Sequence, residues 1–312
     1  MLTILGSGFG LYGYLPAVLE WGNHGVVLPE RYRETIEKRA ELRRYSNRIV
    51  WVADRQSSLE AASGAIIAGR PKDQPRTLNQ CLGHAHLRQI VLEKPIAPEP
   101  STAQAVLTAL IATERQVRIG YLFLLTPWHA ALRSALVGGA TDEAWVSISW
   151  QFMAHHFTHE LDSWKRQATE GGGVIRFYAI HLIACLADCG YATVDSSNVY
   201  GPSEDAPERW EARLSGPEVP PCAVVVDSRS QKQEFQITTC ARTGRAPLVV
   251  ALDPFDHAAP IPPGIADQDR RVVLLIQLLQ SISAADAPIY DLYRRTNDLW
   301  SEIETVSSFI RC

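Results

Sequence analysis

Four short clusters hold the residue types that do chemistry. Gly6-Ser7-Gly8-Phe9-Gly10-Leu11-Tyr12-Gly13 follows the apolar run Leu2-Thr3-Ile4-Leu5. Glycine at position 6 permits a tight turn. Glycine at position 8 lets backbone N–H groups approach a pyrophosphate, backed by the positive end of a following helix. The third glycine of a GxGxxG pattern is replaced by Leu11, although Gly10 and Gly13 flank it. Glu93-Lys94-Pro95 follows the apolar run Gln89-Ile90-Val91-Leu92. A lysine fixed by proline just past a buried strand can hydrogen-bond a hydroxyl and lend positive charge beside a reacting carbon; the plain alternative is a surface lysine in a turn. Gly171-Gly172-Gly173 stands eight residues before His181. The fourth cluster is His155-His156-Phe157-Thr158-His159-Glu160, with Asp162 nearby. It is not HExxH, and no Cys or spaced His completes a zinc set, so no metal is expected. With Trp164-Lys165-Arg166 it reads instead as the lining of a cleft suited to a sugar, or to an anionic or nucleotide-linked sugar.

These clusters need elements to position them. The first 120 residues alternate short apolar runs with helical patterns. Strands are expected over 2–5, 25–28, 48–53, 65–68, 89–92 and 117–121. Helices are expected over 11–21, 33–44, 58–62, 76–82 and 101–113. Continuous Val/Ile runs between helices imply a parallel sheet covered on both faces, hence a Rossmann-type doubly wound α/β domain. In that fold, ligands lie beyond the carboxyl ends of the strands. The expected cofactor residues are therefore Gly6, Gly8, Phe9, Gly10 and Leu11 after the first strand. Glu30 and Arg31 follow the second, Arg70 and Gln74 the fourth, and Glu93, Lys94 and Pro95 the fifth. Glu30 could accept from a ribose 2′-hydroxyl, and Arg31 or Arg33 could meet a 2′-phosphate, so NAD and NADP both stay open.

The second half changes character. Helices are expected over 127–137, 171–186, 270–283 and 297–310, and a strand over 145–152. From residue 198 to 253 the pattern is β, with runs at 210–214, 222–228, 234–240 and 247–252. Residues 258–264 read as a Pro-rich loop. This is an α+β domain with an open, mainly antiparallel sheet. The boundary falls at residue 120: a dinucleotide-binding domain over 1–120 and a substrate-binding and oligomerisation domain over 121–312.

Composition narrows the function classes. The chain has 312 residues, 46% hydrophobic and 21% charged, the usage of an ordinary globular protein with two domains of about 150 residues each. The formal charge of −4 argues against nucleic-acid binding, which favours a basic balance. The densest basic stretch, from Arg31 to Arg48, is interleaved with Glu34, Glu37 and Glu41 and reads as a solvated helix face. Six cysteines form no CxxC pair, and Cys185 and Cys189 read as small buried hydrophobes. The N-terminus lacks a basic region before an apolar run, and no stretch of about 18 uncharged apolar residues occurs. A cytoplasmic protein without a membrane partner is expected.

Four segments in order carry a resemblance: GSGFGLYGYLPA from Gly6, AGRPKDQ over 68–74, VLEKPIA over 91–97 and GGGVIRFYAIHLI over 171–183. Together they resemble the glucose–fructose oxidoreductase, inositol dehydrogenase and rhizopine-catabolism (Gfo/Idh/MocA) family across nearly the whole chain. The resemblance implies an NAD(P)-dependent oxidoreductase. A hydride would pass between nicotinamide and a secondary alcohol or ketone of a sugar, nucleotide-sugar or cyclitol, in a homo-oligomer (dimer or tetramer). It implies that Lys94 contacts both nicotinamide and substrate, and that His181 exchanges the hydroxyl proton, a task suited to a group titrating near neutral pH. Tyr121, Trp164, Lys165, Tyr178 and His181 are the expected substrate contacts. A satisfied histidine in a buried helix is the plain reading of His181.

Three positions depart from the family pattern. Phe177 replaces an Asp four residues before the histidine, Gln74 replaces a frequent His, and Leu124 replaces a frequent Arg. These departures keep two rivals open. One is a cofactor-binding sensor module or pseudo-enzyme. The other is a non-redox enzyme that keeps and recycles its cofactor.

Overall fold

A computed structural model describes residues 1–21, 24–136, 144–241, 244–256, 268–282 and 287–312. The Pro-rich loop expected over 258–264, and Val137 and Ser283 at two expected helix ends, lie outside the described residues. The chain forms two compact units. The first comprises 1–97, 105–122 and 258–286; the second comprises 98–104, 123–257 and 287–312.

The first unit is built on six strands: β1 (Leu2–Leu5), β2 (Val26–Pro29), β3 (Ile49–Val52), β4 (Gly64–Ile67), β5 (Gln89–Leu92) and β6 (Gln116–Ile119). Their order is β3-β2-β1-β4-β5-β6, and every pairing is parallel. That is the doubly wound dinucleotide-fold order, with its reversal between β1 and β4. All four residues of β1, β2 and β4 are buried, as expected of strands covered on both faces.

The helix expected over 11–21 forms in two pieces. Gly10–Tyr14 is a π-helical turn and Leu15–Glu20 is α-helical. Pro16 has no N–H to return to Tyr12 and its ring crowds that carbonyl. The Leu15 N–H reaches back to the Gly10 carbonyl instead. Leu15 to Leu19 are all buried, because the helix Val272–Ser281 packs on the side away from the sheet. That helix, grouped by sequence with the second half, is therefore a cover of the first unit. It is tied to β6 by Arg118, whose Nε donates to Ser281 Oγ at 2.9 Å and whose Nη2 donates to the Ser281 carbonyl. The helix expected over 33–44 is interrupted at Arg39, which is extended (φ −95°, ψ 117°). There its guanidinium lies over the Tyr12 ring and pairs with Glu41.

The second unit carries a seven-stranded sheet. Its strands are β7 (Trp145–Met153), β8 (Thr193–Gly201), β9 (Arg209–Gly216), β10 (Val219–Asp227), β11 (Arg229–Ala241), β12 (Gly244–Ala251) and β13 (Ser308–Arg311). The order is β12-β11-β7-β10-β9-β8-β13. The β7–β10 and β8–β13 pairings are parallel and the other four antiparallel. Period-two burial sets one face to the core: Val146, Ile148 and Trp150, then Trp210, Ala212 and Leu214, then Cys222, Val224 and Val226. The helix Ile180–Cys189 is buried from Ile180 through Ala187. It lies under the helix Ala287–Val306. The last three residues expected in that helix, 308–310, belong instead to the strand β13. Ser307 Oγ turns back to the Ile303 carbonyl at 2.6 Å, the helix stops, and the chain pairs with β8. Among the described residues, one helical stretch, Ala168–Cys189, is long and apolar enough to cross a membrane by length and composition, but 72% of its most apolar window is buried inside the protein.

Candidate active site

In the first unit, parallel strands bring the expected cofactor residues to one edge of the sheet. Gly6 needs to be glycine because a Cβ there would stand 2.2 Å from the Ala68 carbonyl oxygen. That contact lays the β1 turn against the β4 loop. Gly10 packs the helix start on the sheet, where a Cβ would meet Ile4 at 3.0 Å. It does the work expected of the third glycine, which lets a buried Leu11 (0% exposed) fill the core. Gly8 differs from both: a Cβ there would have no atom within 4 Å. The turn thus presents backbone toward open space at the point where a phosphate group would need close approach. Phe9 folds over Gly13 and meets Tyr12 and Tyr14 edge-on, at 5.3 and 5.6 Å. The Arg271 guanidinium lies 4.3 Å over its centroid and is held by Asp269 at 2.8 and 2.6 Å.

After β2, both Glu30 oxygens accept from Arg33, at 2.6 and 3.1 Å. Arg31 donates to the Tyr32 hydroxyl at 3.1 Å. The Glu30–Arg33 pair is exposed, a kind of contact a ligand can displace. Arg70 precedes the short turn Pro71–Asp73, and Gln74 begins the helix Gln74–Leu82.

The turn after β5 is clamped from two sides. Gln74 Nε2 donates to the Glu93 carbonyl at 2.9 Å and to the Pro95 carbonyl at 2.7 Å. The Lys94–Pro95 peptide between them is cis. Gln74 Oε1 is buried with no hydrogen-bond partner. The Tyr14 hydroxyl donates to Glu93 Oε2 at 2.8 Å. Desolvation pushes the Glu93 carboxyl above its ordinary range, against the pull of Lys94, the Tyr14 hydroxyl and Arg271. Lys94 itself is 9% exposed. Tyr121, just past β6, is 4% exposed.

In the second unit, the triple glycine is explained by packing. Gly171 caps a short turn in the left-handed region (φ 84°). A Cβ on Gly172 would stand 2.3 Å from the Trp164 carbonyl oxygen, and one on Gly173 2.5 Å from Pro207. The next six residues, Val174–Ala179, again form a π-helical turn. Phe177 and Tyr178 project from it. Trp164 meets the Phe177 ring edge-on at 5.4 Å, and Lys165 Nζ lies 5.2 Å from its centroid. Phe177 is thus the floor on which two expected substrate contacts, Trp164 and Lys165, rest. Tyr178 is packed by Phe152 at 4.9 Å and Phe177 at 4.8 Å, and its hydroxyl stands 3.3 Å from His156 Nδ1. Burial pushes the Tyr178 phenol up.

His181 lies one turn further on, 5% exposed. Its ring stacks on Phe123 at 4.8 Å and meets Phe255 at 6.3 Å. Phe123 also contacts Trp150, which contacts Tyr178. The aromatic cluster therefore links His181 to Tyr178. Sequence reasoning missed Phe123, Trp150, Phe255 and Arg271, because each reaches its partner from a remote element. The Leu124 carbonyl lies 3.2 Å from His129 Nδ1.

His156, the middle of the three-histidine run, is buried and its pKa is lowered to about 4. Burial is the main cause, followed by Lys165, Arg166 and His155. The folded state holds this ring neutral where the unfolded chain, at about 6.5, would bind a proton. Stability from this group is therefore complete above pH 6.5 and lost as pH falls toward 4. Thermal unfolding at pH 7 and pH 5 is expected to show a drop in the wild type that His156→Phe lessens. An equal drop in both proteins would assign it elsewhere.

No protein-family model and no curated protein matches the chain in sequence. Solved structures match its fold over almost its full length. The 3-ketoreductase KijD10 from Actinomadura kijaniata, in complex with NADP and TDP-benzene, is 11% identical. The match covers 100% of this chain and 98% of that one at a TM-score of 0.70. The WlbA dehydrogenase from Bordetella pertussis, in complex with NADH and UDP-GlcNAcA, is 14% identical, with 98% and 95% covered and a TM-score of 0.73. An oxidoreductase from Thermotoga maritima is 12% identical, with 98% and 95% covered and a TM-score of 0.72. The chain shares their two-domain fold.

Proposed function

We propose that the chain is an NAD(P)-dependent oxidoreductase of the Gfo/Idh/MocA type, acting on a CH–OH group or ketone of a sugar, nucleotide-sugar or cyclitol. The carrying observation is the conjunction, in one unit, of the 3-2-1-4-5-6 parallel order, an uncovered backbone turn at Gly8 and a clamped Lys94. The dinucleotides bound to KijD10 and WlbA support the same reading.

Bound nicotinamide would supply a hydride acceptor or donor. Gly6, Gly8, Phe9, Gly10 and Leu11 would hold its pyrophosphate at the start of the helix. Glu30 or Arg31 would read the ribose, and Arg70, Gln74, Glu93 and Pro95 would shape the nicotinamide side. Lys94 would hydrogen-bond the substrate oxygen and favour its negative charge. His181 would take or return the hydroxyl proton. Tyr121, Trp164, Lys165 and Tyr178 would contact the sugar. The reading includes a cytoplasmic homo-oligomer, either a dimer or a tetramer.

Calorimetric titration with NAD, NADH, NADP and NADPH, after a check for cofactor already bound, tests this. Dissociation constants on the order of 1–100 μM are expected for one phosphorylation state of the cofactor. Preference for NAD would assign the ribose to Glu30, and preference for NADP to Arg31 or Arg33. Binding of none of the four would end the oxidoreductase reading.

A further inference from the structure

One cation reaches the glycine turn from far along the sequence. Arg271 precedes the helix Val272–Ser281 and belongs to the first unit. Its guanidinium lies 4.3 Å over the centroid of Phe9 and 5.9 Å over that of Tyr12, the two rings on either side of Gly10 and Leu11. The same charge acts on Glu93, in the turn after β5. Arg271 therefore stands beside both of the turns on which the dinucleotide reading rests.

The side chain is held before any ligand arrives. Asp269 accepts from its Nε and Nη2 at 2.8 and 2.6 Å, and from its backbone N–H at 2.9 Å. The aromatic faces beneath the guanidinium add a second restraint. Gln268 Nε2 donates to the Glu41 carbonyl at 3.1 Å, which anchors the same segment to the first unit. A cation fixed in this way loses little further freedom on binding. It is not sealed in, since the Arg271 side chain is 31% exposed. The local balance is positive. Arg270 and Arg271 both act on the one carboxylate of residues 268–271, Asp269. Burial pushes the Glu93 carboxyl toward its neutral form. The N–H groups at a helix start amount to only about half a positive charge, whereas a dinucleotide's diphosphate carries a full negative charge on each phosphate.

We propose that Arg271 is a cofactor-binding residue, which lends a full positive charge to the dinucleotide's diphosphate alongside the backbone of the Gly8 turn. This rests on the dinucleotide reading and extends it to a residue that no motif in the sequence marks.

The probes are the four dinucleotides and ADP-ribose, which keeps the diphosphate and lacks the nicotinamide. Each is titrated calorimetrically, at low and high salt, into full-length wild type, Arg271→Lys and Arg271→Met. Arg271→Met is expected to weaken ADP-ribose and the preferred dinucleotide by about 10–100-fold, the loss of one charge-assisted contact. Arg271→Lys keeps the charge without the planar fork and should lose less. Added salt should weaken the wild type more than Arg271→Met, because the variant has one attractive charge fewer to screen. Asp269→Asn combined with Arg271→Met removes both ion-pair partners. It should show the same loss, and it serves as the test protein if Arg271→Met alone does not fold. Wild-type affinity for ADP-ribose in the variant without the arginine would overturn the proposal. So would a loss whose salt dependence matches that of the wild type, since the arginine would then only pack the turn. A wild type that binds no dinucleotide would end the dinucleotide reading and this proposal with it. A wild type that binds, with a variant that binds equally well, ends this proposal alone.

Discussion

Gly8→Val is expected to fold like the wild type and to lose dinucleotide affinity by about 100-fold or more, which is about 2.7 kcal/mol of binding. The first carbon of the new side chain meets no atom of the described protein within 4 Å. Gly8 is also outside the left-handed backbone region, unlike Gly171, Gly173 and Gly190, whose φ angles are positive. The only thing the isopropyl group should displace is a ligand lying on the turn. Gly6→Ala is the matched control with the opposite signature. Its Cβ would stand 2.2 and 2.5 Å from the backbone oxygen and carbon of Ala68. Backbone atoms just past the ends of two adjacent central strands cannot give way cheaply, so a stability loss of about 1–3 kcal/mol is expected. Urea unfolding separates the two variants, and calorimetry with the preferred dinucleotide measures the first. Wild-type affinity in Gly8→Val would mean that no pyrophosphate lies over this turn.

The contrast between these two glycines also shows what the sequence could convey. The parallel sheet was legible because its strands are short, mostly apolar runs that alternate with helical patterns, several of them followed by glycine, proline or charge. The fold class follows from that alternation alone. The turn after β5 was legible as Glu93-Lys94-Pro95. What holds it was not: Gln74 reads as a lost histidine, yet its amide grips the two carbonyls that flank Lys94. A side chain's choice of backbone partner some 20 residues away leaves no periodic trace. The same limit hid Phe123 behind His181 and Arg271 above Phe9, which are separated in sequence by 58 and 262 residues. The helix expected through residue 310 gave way to β13 for a related reason. Helical periodicity cannot compete with the free edge of β8, which offers unpaired backbone groups to Ser308–Arg311. Phe177 was legible as a departure from an acidic position, but its role as a floor for Trp164 and Lys165 arises only where the chain folds back on itself.

Lys94→Ala is expected to lower turnover on the reactive sugar, nucleotide-sugar or cyclitol by about 10²–10⁴-fold, while dinucleotide affinity changes by less than about tenfold. The reasoning starts from the backbone. Carbonyls on both sides of Lys94 are fixed by one amide, and the preceding carboxyl is fixed by the Tyr14 hydroxyl. The ammonium is therefore delivered from a rigid turn, and the binding energy of the glycine turn does not depend on it. In the proposed reaction its charge would count most when negative charge develops on the substrate oxygen, a transition-state contribution that falls mainly on kcat. Lys94→Arg should not restore turnover, because a planar fork on a longer stem cannot replace a compact point charge at a fixed distance. Gln74→Ala keeps the ammonium and releases the clamp, so it should cost turnover less than Lys94→Ala does. Steady-state kinetics across the three variants, with calorimetry for the cofactor, decides the matter. Near-normal turnover in Lys94→Ala would remove this lysine from the chemistry. Equal losses in Lys94→Ala and Gln74→Ala would show that the geometry of the turn matters as much as the charge it carries.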